Sequence, residues 1–324
     1  MRVLVIGGTV LLGRSVVEMA LARGHEVTVF HRGLHNRGLF GGDVETLLGD
    51  RTEDLSALRG RSWDAVVDTC GFEPEHVGAA TGLLADSVEH YGFVSSGSVY
   101  RDWPNQPVDE DSPVFESDEQ EYGPLKAACE RAAEAAMPGR VLHVRAGVIV
   151  GPHENIGRLP WWLRRIAAGA EVLAPGPDDA PIQLIDARDL AAWMLDMAQA
   201  GTAGAYNAIA APGSATWGEL LGACVESVGG PGELVWVDGG EVAERVEEPS
   251  DELPLWPMPG LAGLYGMAAD RALGAGLTPR ALAETVADTW AWLERGPDLG
   301  DWRREVQVTG LAAERERELL GALR

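Results

Sequence analysis

The segment at residues 3–17 restricts the fold more than any other part of the sequence. It reads VLVIGGTVLLGRSVV, an apolar run followed by a glycine-rich turn and an apolar helical pattern. Gly7 and Gly13 stand where a dinucleotide-binding turn has its first and last glycines: the first permits a tight turn, and the last lets the helix pack on the sheet. Val10 stands at the middle position, where glycine normally lets the backbone approach phosphate. The order strand, turn, helix predicts a dinucleotide site rather than a turn that binds nothing.

Short apolar runs alternate with helical patterns along the first half of the chain. The predicted strands cover residues 2–6, 26–31, 44–48, 64–69, 90–95 and 140–145. The predicted helices cover residues 11–23, 75–86 and 119–137. Such alternation is typical of a parallel sheet with helices on both faces. We therefore expect an α/β protein with a Rossmann-type, doubly wound parallel sheet.

The character of the sequence changes after Gly151. Proline, glycine and tryptophan become frequent, as in RLPWWLRR, APGPDDAP and ELPLWPMPG. We expect a dinucleotide-binding domain over residues 1–152 and a smaller C-terminal substrate-binding region over residues 153–324. A strand, a helix and a strand near residues 182–208 are expected to return to the main sheet.

Composition narrows the class of partner. The 324 residues carry a formal net charge of -24, which disfavours nucleic acid and anionic membrane surfaces because both require clustered Lys and Arg. A small-molecule substrate is expected instead. No apolar run approaches the ~20 residues of a membrane span, and no cleavable leader precedes the first strand, so we expect a cytoplasmic protein. Cys70, Cys129 and Cys224 are few and scattered, which indicates free thiols and no metal site.

The end of the second strand bears on the choice of cofactor. In HEVTVFHRG, His31 and Arg32 stand where a dinucleotide fold usually has an acid for the ribose 2′-hydroxyl. Because no carboxylate repels a 2′-phosphate and a guanidinium can pair with it, the sequence favours NADP over NAD; the alternative is that Arg32 is an ordinary solvated arginine. Four segments are expected to contact the cofactor: the glycine turn, the end of the second strand, LLGDR and VVDTCG. Their contact residues are expected to be Gly7, Thr9, Val10, Leu11, Leu12, Gly13, His31, Arg32, Asp50, Arg51, Thr69 and Cys70.

The segment EYGPLKAACE contains the strongest catalytic candidates. Tyr122 and Lys126 are four residues apart, which places both side chains on one face of a helix. Lys126 is the only lysine among the 26 basic residues, which indicates a role that arginine cannot fill. Pro124 is compatible with a helix only in its first turn, so Tyr122 is expected at the helix start. An adjacent ammonium would lower the pKa of Tyr122 and make it a general acid or base.

A serine-rich stretch precedes this segment. FVSSGSVY follows an apolar strand and supplies hydroxyl groups at the carboxyl end of the sheet, where open α/β proteins bind ligands. We expect Ser96 to hold a substrate oxygen beside Tyr122. The alternative is that Ser95, Ser96 and Ser98 only satisfy a turn.

Together these segments resemble the extended short-chain dehydrogenase/reductase superfamily, the NAD(P)-dependent epimerase/dehydratase group. The resemblance also covers PVDEDSP at 107–113, VRAGVIVGP at 144–152 and IDARDLA at 185–191. It implies that Ser96 orients the substrate oxygen, that Tyr122 exchanges its proton, and that Lys126 binds the nicotinamide ribose while lowering the tyrosine pKa. The turn is similar to the GGTxxLG pattern of the atypical branch, whose members often lack the middle glycine, so cofactor binding is expected despite Val10.

Two positions depart from the pattern of this group. Its nucleotide-sugar enzymes usually have an arginine that binds the substrate diphosphate, in the strand that reads IQLIDARD here, and Ile182 stands in its place. The resemblance therefore argues against a nucleotide-diphosphate sugar. Arg101 follows Tyr100 where the group usually has a glycine.

The second half of the chain contains two further patterns, each with two interpretations. The tryptophans can wall a pocket for an apolar or aromatic substrate or pack in the core. They are Trp161, Trp162, Trp217, Trp236 and Trp256. The basic residues Arg158, Arg164 and Arg165 can bind an anionic substrate group or form one solvated helix face.

These observations predict an NADP-dependent oxidoreductase that moves a hydride between nicotinamide and a carbonyl or secondary alcohol of a small molecule. A homodimer is compatible with the sequence. One alternative keeps the same machinery in an epimerase or dehydratase whose cofactor stays bound. A second alternative is a non-catalytic NADP-sensing or RNA-associated protein, as are some relatives in the atypical branch. The acidic composition and the retained Lys126 argue against this second alternative.

Overall fold

The computed structural model describes residues 1–117, 119–261, 263–296 and 310–323. The strands are β1 Arg2–Ile6, β2 Glu26–His31, β3 Glu45–Leu48, β4 Trp63–Asp68, β5 Val88–Ser96, β6 Val141–Ala146, β7 Val148–Val150, β8 Glu171–Pro175, β9 Pro181–Ile182, β10 Leu184–Asp186, β11 Gly204–Ala208, β12 Ala215–Thr216 and β13 Glu233–Val237. The α-helices are α1 Leu11–Ala22, α2 Pro74–Leu84, α3 Tyr122–Ala136, α4 Arg158–Ala167, α5 Ala187–Ala200, α6 Trp217–Val228, α7 Gly239–Ala243, α8 Pro249–Glu252, α9 Asp270–Gly274, α10 Leu282–Glu294 and α11 Ala313–Ala322.

Seven parallel strands form the main sheet, in the order β11-β6-β5-β4-β1-β2-β3. The inner strands β1, β2, β4, β5 and β6 are nearly continuous runs of buried residues because helices cover both faces, whereas the edge strands β3 and β11 are more exposed. Helices α1 and α5 pack on one face, and α2 and α3 pack on the other. This arrangement confirms the predicted doubly wound α/β fold. The strand order reverses at β1, so the carboxyl ends of β1 and β4 border a crevice, which is where such folds bind ligands.

Helix α3 brings its first residue to the same edge of the sheet. It begins at Tyr122, later than the predicted start at residue 119, and Pro124 is its third residue. A proline is tolerated there because N–H groups of the first turn have no partner within the helix. Strand β5 ends at Ser96, which pairs in register with Ala146 of β6.

A second hydrophobic core occupies the C-terminal half, around α4, α6 and α10. Three two-stranded sheets border it, pairing β7 with β10, β8 with β13 and β9 with β12. Trp162 and Trp217 are fully buried in this core and stack edge to face, with ring centroids 5.1 Å apart. These tryptophans therefore pack in the core, whereas Trp236 stays 39% exposed. Of the two strands in the unit near residues 182–208 that was expected to return to the main sheet, only strand β11 does so, as the edge strand beside β6, whereas β10 pairs with β7 in a separate sheet.

Candidate active site and cofactor cleft

A cleft of about 390 Å³ runs along the carboxyl ends of β1, β2, β3 and β4. It is lined by nine of the residues expected to contact a cofactor, namely Gly7, Thr9, Val10, His31, Arg32, Asp50, Arg51, Thr69 and Cys70. Leu11, Leu12 and Gly13 lie at the start of α1, and the side chains of both leucines are buried. Any contact of these leucines with a cofactor would use their backbone N–H groups, which the first helical turn leaves without helix partners.

The glycine turn has the tight geometry that the sequence predicts. Gly7 has φ +106°, and a Cβ atom built on it would collide with Oγ1 of Thr69. A Cβ atom on Gly13 would lie 2.7 Å from the backbone nitrogen of Gly8. Both positions therefore require glycine, the first for its conformation as well as its size. The turn is therefore tightly packed at both ends.

Val10 fits the turn without backbone strain. It precedes α1 with φ -140° and ψ 153°, an extended conformation that β-branched residues adopt readily. Its carbonyl oxygen accepts the hydrogen bond of Arg14 N at 3.1 Å, which starts the helix. The unusual conformation falls instead on Leu11, whose φ is +29°. The missing middle glycine thus changes the lining of the cleft, not the path of the chain.

A buried ion pair forms one wall of the cleft. The guanidinium of Arg51 donates two hydrogen bonds to the carboxylate of Asp68, at 2.7 and 3.0 Å. Asp68 is fully buried and also accepts from the hydroxyl of Tyr91 at 2.7 Å. Burial by itself would raise the pKa of Asp68, but the charge and hydrogen bonds of Arg51 outweigh it and lower that pKa. Arg51 lines the cleft with its charge already paired.

The sequence pattern did not single out Asp68, although an aspartate that ends an apolar strand is a detectable signal. It is the last residue of β4, and its neighbours Thr69 and Cys70 are the ones predicted to contact a cofactor. A charged side chain at such a buried position requires a partner. Arg51 supplies that partner from the loop after β3.

The far end of the cleft is rich in basic side chains. Nδ1 of His31 accepts the hydrogen bond of Gly33 N at 2.9 Å, and burial together with the charge of Arg37 lowers the pKa of this histidine. His31 is therefore a neutral acceptor at neutral pH. Arg32 is 53% exposed, and its Nη1 lies 4.0 Å from Oδ2 of Asp50. Asp50 is held in turn by the N–H and hydroxyl of Thr52.

Ser96 and Tyr122 lie together beyond the other end of the cleft. The Ser96 hydroxyl accepts the hydrogen bond of Ser98 N at 3.1 Å, which caps a short 3₁₀-helix at Gly97–Val99. It also forms a hydrogen bond with the phenol of Tyr122 that lowers the pKa of that tyrosine. Tyr122 is 52% exposed as a whole residue, whereas its phenol group is enclosed enough for burial to raise its pKa. The two side chains predicted to handle a substrate oxygen are thus adjacent.

Lys126 lies one turn further along α3 and is almost completely buried, with 3% of its surface exposed. Its Nζ donates to the carbonyl of Gly71 at 2.7 Å and to the carbonyl of Val94 at 2.6 Å. It also lies 4.4 Å from the ring centroid of Phe93. Burial lowers the pKa of Lys126 to about 8. Since Gly71 adjoins the cleft residues Cys70 and Phe72, Lys126 connects the cofactor cleft to the Tyr122 side.

The expected lowering of the Tyr122 pKa by Lys126 differs from what the structure shows. Burial raises the pKa of Tyr122, and the opposing influences are the hydroxyl of Ser96 and the positive charge of Arg158. The physical reason is the direction of the lysine side chain, which points at two backbone carbonyls of the sheet edge. The helix spacing predicts a shared face correctly but does not determine which neighbour the ammonium binds.

The three arginines of the second half are not one solvated helix face. Arg165 forms an ion pair with Glu316 of α11 at 2.6 Å, whereas Arg158 is directed toward the loop after β7. There its Nε donates to Glu154 and its Nη2 to the carbonyl of Ile149. Arg158 is thus the one member of this group that the structure brings within electrostatic range of Tyr122.

Comparison with known proteins identifies the family of the chain. The NAD dependent epimerase/dehydratase family matches residues 3–209, well over half of the chain. The chain belongs to this family, whose members are enzymes of the extended short-chain dehydrogenase/reductase type that use NAD(P). No curated protein matches the chain by sequence alone.

Solved structures share the fold along most of the chain. The enzyme WbmH of Bordetella bronchiseptica, in complex with NAD⁺, is 19% identical with a TM-score of 0.67, over 90% of this chain and 98% of that one. The human epimerase family protein SDR39U1, with NADPH, is 23% identical with a TM-score of 0.61, over 90% and 99%. A UDP-N-acetylglucosamine 4-epimerase of Methanobrevibacter ruminantium M1 is 15% identical with a TM-score of 0.69, over 91% and 99%. At these identities the likeness shows the fold alone.

The described part of the chain lacks a membrane-spanning helix and a metal-binding cluster. None of its helices combines the length and apolar character needed to cross a membrane. Within the same residues, no three His, Cys, Asp or Glu side chains are grouped so that they could hold a metal ion.

Proposed function

We propose that the protein is an NADP-dependent oxidoreductase that transfers a hydride between nicotinamide and a carbonyl or secondary alcohol of a small molecule. The observation that carries this proposal is the adjacency of Ser96 and Tyr122, with Lys126 one helical turn from Tyr122 and bonded to Gly71 beside the cofactor cleft. The family membership supports NAD(P) dependence. A cytoplasmic location and a homodimer stay predictions from the sequence.

The cleft fits a dinucleotide by its shape and its donors. Gly7 and Gly13 keep the turn tight, because a Cβ atom on either would collide with Thr69 or with the backbone of Gly8, and the N-terminus of α1 follows the turn. Thr9, Asp50 and Thr69 offer polar groups along the same path. When bound, the nicotinamide supplies or accepts the hydride. Lys126 has one N–H left after its two carbonyl bonds, because an ammonium has three donors, and that N–H is available for a ribose hydroxyl.

The substrate oxygen would lie between Ser96 and Tyr122. The Ser96 hydroxyl donates a hydrogen bond that fixes the oxygen, and Tyr122 gives its phenolic proton to that oxygen during reduction or takes it back during oxidation. Burial raises the pKa of Tyr122, and the positive charge of Arg158 opposes that rise. Tyr122 is therefore protonated at neutral pH and has a proton to give to the substrate oxygen.

The preference for NADP is supported by the basic end of the cleft. Arg32 is exposed there, and Arg37 and His35 lie on the same loop. Titration of the protein with NADPH and NADH, each followed by fluorescence, tests the preference. We expect Arg32→Ser to weaken NADPH binding by about 10- to 100-fold and to leave NADH binding nearly unchanged. Arg61→Ser, at an exposed arginine paired with Glu45, is the matched control. Tighter binding of NADH by the unaltered protein would contradict this assignment.

A second candidate function is epimerisation or dehydration with retained cofactor, and similarity to solved epimerases favours it. In that case the hydride returns to the substrate, and no net loss of NADPH absorbance accompanies turnover. The diphosphate-binding arginine of nucleotide-sugar enzymes is replaced by Ile182, which is buried here and argues against such substrates. A screen of carbonyl compounds at saturating NADPH, followed at the absorbance of the reduced cofactor, separates the two candidates. Product formation without cofactor loss would favour the epimerase.

A further inference from the structure

The guanidinium of Arg158 is held in one orientation. Its Nε donates to Oε1 of Glu154 at 2.9 Å, and its Nη2 donates to the carbonyl of Ile149 at 2.6 Å. Glu154 is fully buried and also accepts hydrogen bonds from the backbone N–H groups of Arg158 and Leu159, at 3.1 and 3.3 Å. Within the described residues, Nη1 of Arg158 has no hydrogen-bond acceptor. The orientation of the guanidinium is therefore fixed, and its Nη1 is left to donate to a ligand.

The strand register places this guanidinium on the substrate side. Ala146 at the end of β6 pairs with Ser96, and β7 begins two residues later and contains Ile149, the carbonyl partner of Arg158. Burial raises the pKa of Tyr122 and of Tyr265, and the positive charge of Arg158 opposes the rise at both residues. Arg158 thus acts on the phenol that the proposed function assigns to proton transfer.

The local charges leave this corner of the site positive. Glu154 is shared between Arg158 and the backbone N–H groups at the start of α4, which carry the partial positive charge of a helix N-terminus. One carboxylate therefore faces a guanidinium and a helix end together. The Arg158 side chain is 21% exposed, so a solute can reach it. An anion bound there would complete the charge balance.

We propose that Arg158 binds an anionic group of the substrate, a carboxylate or a phosphate, close to the carbonyl that Ser96 and Tyr122 handle. This inference rests on the proposed function and specifies its substrate class: a small oxo acid or phosphorylated carbonyl compound, together with the corresponding hydroxy compound. Such an anion lies near the reacting carbon, unlike the diphosphate of a nucleotide sugar. The buried Ile182 shows that the diphosphate position of those enzymes is apolar here.

Matched carbonyl pairs test the proposal. The carboxylate pair is phenylglyoxylate, an anion, and its neutral methyl ester. The phosphate pair is dihydroxyacetone phosphate, an anion, and neutral dihydroxyacetone. We expect the unaltered protein with NADPH to prefer the anionic member of one pair, which identifies the group as carboxylate or phosphate. Arg158→Gln should lower kcat/KM for that anion about 30- to 100-fold, and it should lower kcat/KM for the neutral member at least about tenfold less, because the neutral member loses only the effect of the Arg158 charge on Tyr122. Arg158→Lys, which keeps the charge without the fork, should retain part of the preference.

A second variant and a binding measurement separate this role from a structural one. Arg158→Gln leaves Glu154 buried without its charged partner, so the double variant Arg158→Gln with Glu154→Gln provides a neutral pair at the same place. Thermal unfolding and NADPH titration show whether each variant is folded. Equal losses for the anionic and neutral members, or equal kcat/KM values for both in the unaltered protein, would overturn the proposal.

Failure of the proposed function would give different results from failure of the anion site. Calorimetric binding of phenylacetate and of inorganic phosphate to the NADP⁺-loaded protein reports on the anion site without turnover. If either probe binds to the unaltered protein and not to Arg158→Gln, the anion site is supported. If, in addition, none of the four carbonyl compounds is reduced, only the oxidoreductase proposal is contradicted. Binding of neither probe, or binding that survives in Arg158→Gln, overturns the anion site.

Discussion

The cofactor cleft and the substrate side of the site draw on the chain in different ways. The cleft is lined by residues that lie between positions 6 and 76, most of them just after the ends of β1, β2, β3 and β4. The substrate side joins Ser96 of β5, Tyr122 of α3 and Arg158 of α4, which are far apart in sequence. The cleft therefore depends mainly on local backbone geometry, whereas the substrate side depends on packing between distant elements.

Lys126 belongs to both regions. Its bond to Gly71 fixes it to the loop that lines the cleft, and its bond to Val94 fixes it to the strand that ends at Ser96. Variants on either side of this lysine should therefore separate cofactor binding from turnover.

The largest effect is expected from Tyr122→Phe, which alters the substrate side alone. Loss of the phenolic hydroxyl removes the proton-exchanging group, so we expect turnover to fall about 10³-fold while NADPH affinity stays close to that of the unaltered protein. Oxidation of NADPH in the presence of a carbonyl substrate gives the rate, and fluorescence titration gives the affinity. Tyr206→Phe is the control, since that ring packs on Trp193, 5.7 Å between centroids. Unchanged function in Tyr122→Phe would favour the non-catalytic NADP-sensing or RNA-associated alternative.

The next largest effect concerns the wall of the cleft. Asp68→Asn removes the charge that balances the buried guanidinium of Arg51, and we expect the free energy of unfolding to fall by about 3 kcal/mol. Denaturant unfolding followed by circular dichroism measures this change. Asp64→Asn alters an exposed ion pair with Arg2 and should change stability by less than about 1 kcal/mol. Equal effects of the two variants would contradict a supporting role for Arg51.

A smaller effect is expected from Gly7→Ala. Comparison with a second glycine variant separates the cost of the positive φ angle from the cost of the steric collision. The new methyl group would collide with Thr69 in a backbone with positive φ, so we expect NADPH affinity to fall about 10- to 100-fold. Gly24→Ala is matched in conformation, with φ +73°, but nothing lies within 4 Å of its added Cβ atom. It should lower stability by about 1 kcal/mol and leave NADPH affinity unchanged. An affinity loss of similar size in both variants would show that the cleft does not depend on the Gly7 turn.

The smallest effect is a pH dependence at Lys126. With its pKa lowered to about 8, the side chain loses a proton as the pH rises through that value. The neutral amine has two N–H donors, both needed for Gly71 and Val94, so none remains for a ribose hydroxyl. We expect NADPH affinity to be constant from pH 7 to about 8 and to fall above it, by at most tenfold per pH unit.

Lys126→Arg provides the control for this prediction. An arginine stays protonated throughout the same range, so its affinity for NADPH, whatever its level, should not change between pH 7 and about 10. A flat profile for the unaltered protein over this range would show that Lys126 does not donate to the cofactor.

The sequence predicted the sheet and the turn well because both rest on local chemistry. Positive φ at Gly7 and the close approach of Gly13 to Gly8 are requirements that only glycine meets, and they are visible as glycines in the sequence. The position of Tyr122 at the start of α3 followed from Pro124 two residues later. The bonds of Lys126 to a loop carbonyl and a strand carbonyl could not be predicted, because they depend on the depth at which α3 packs against β5.

By itself, the amino-acid sequence determined the alternation of strands and helices and the glycine turn. It also determined that Tyr122 and the single lysine share one face of a helix. Each of these features depends on periodicity or on allowed backbone angles. The tertiary structure alone decided that Asp68 neutralises Arg51 and that Arg158 acts on Tyr122. The physical reason is that charges interact through space. Their partners are set by how distant segments pack, and no spacing along the chain encodes that distance.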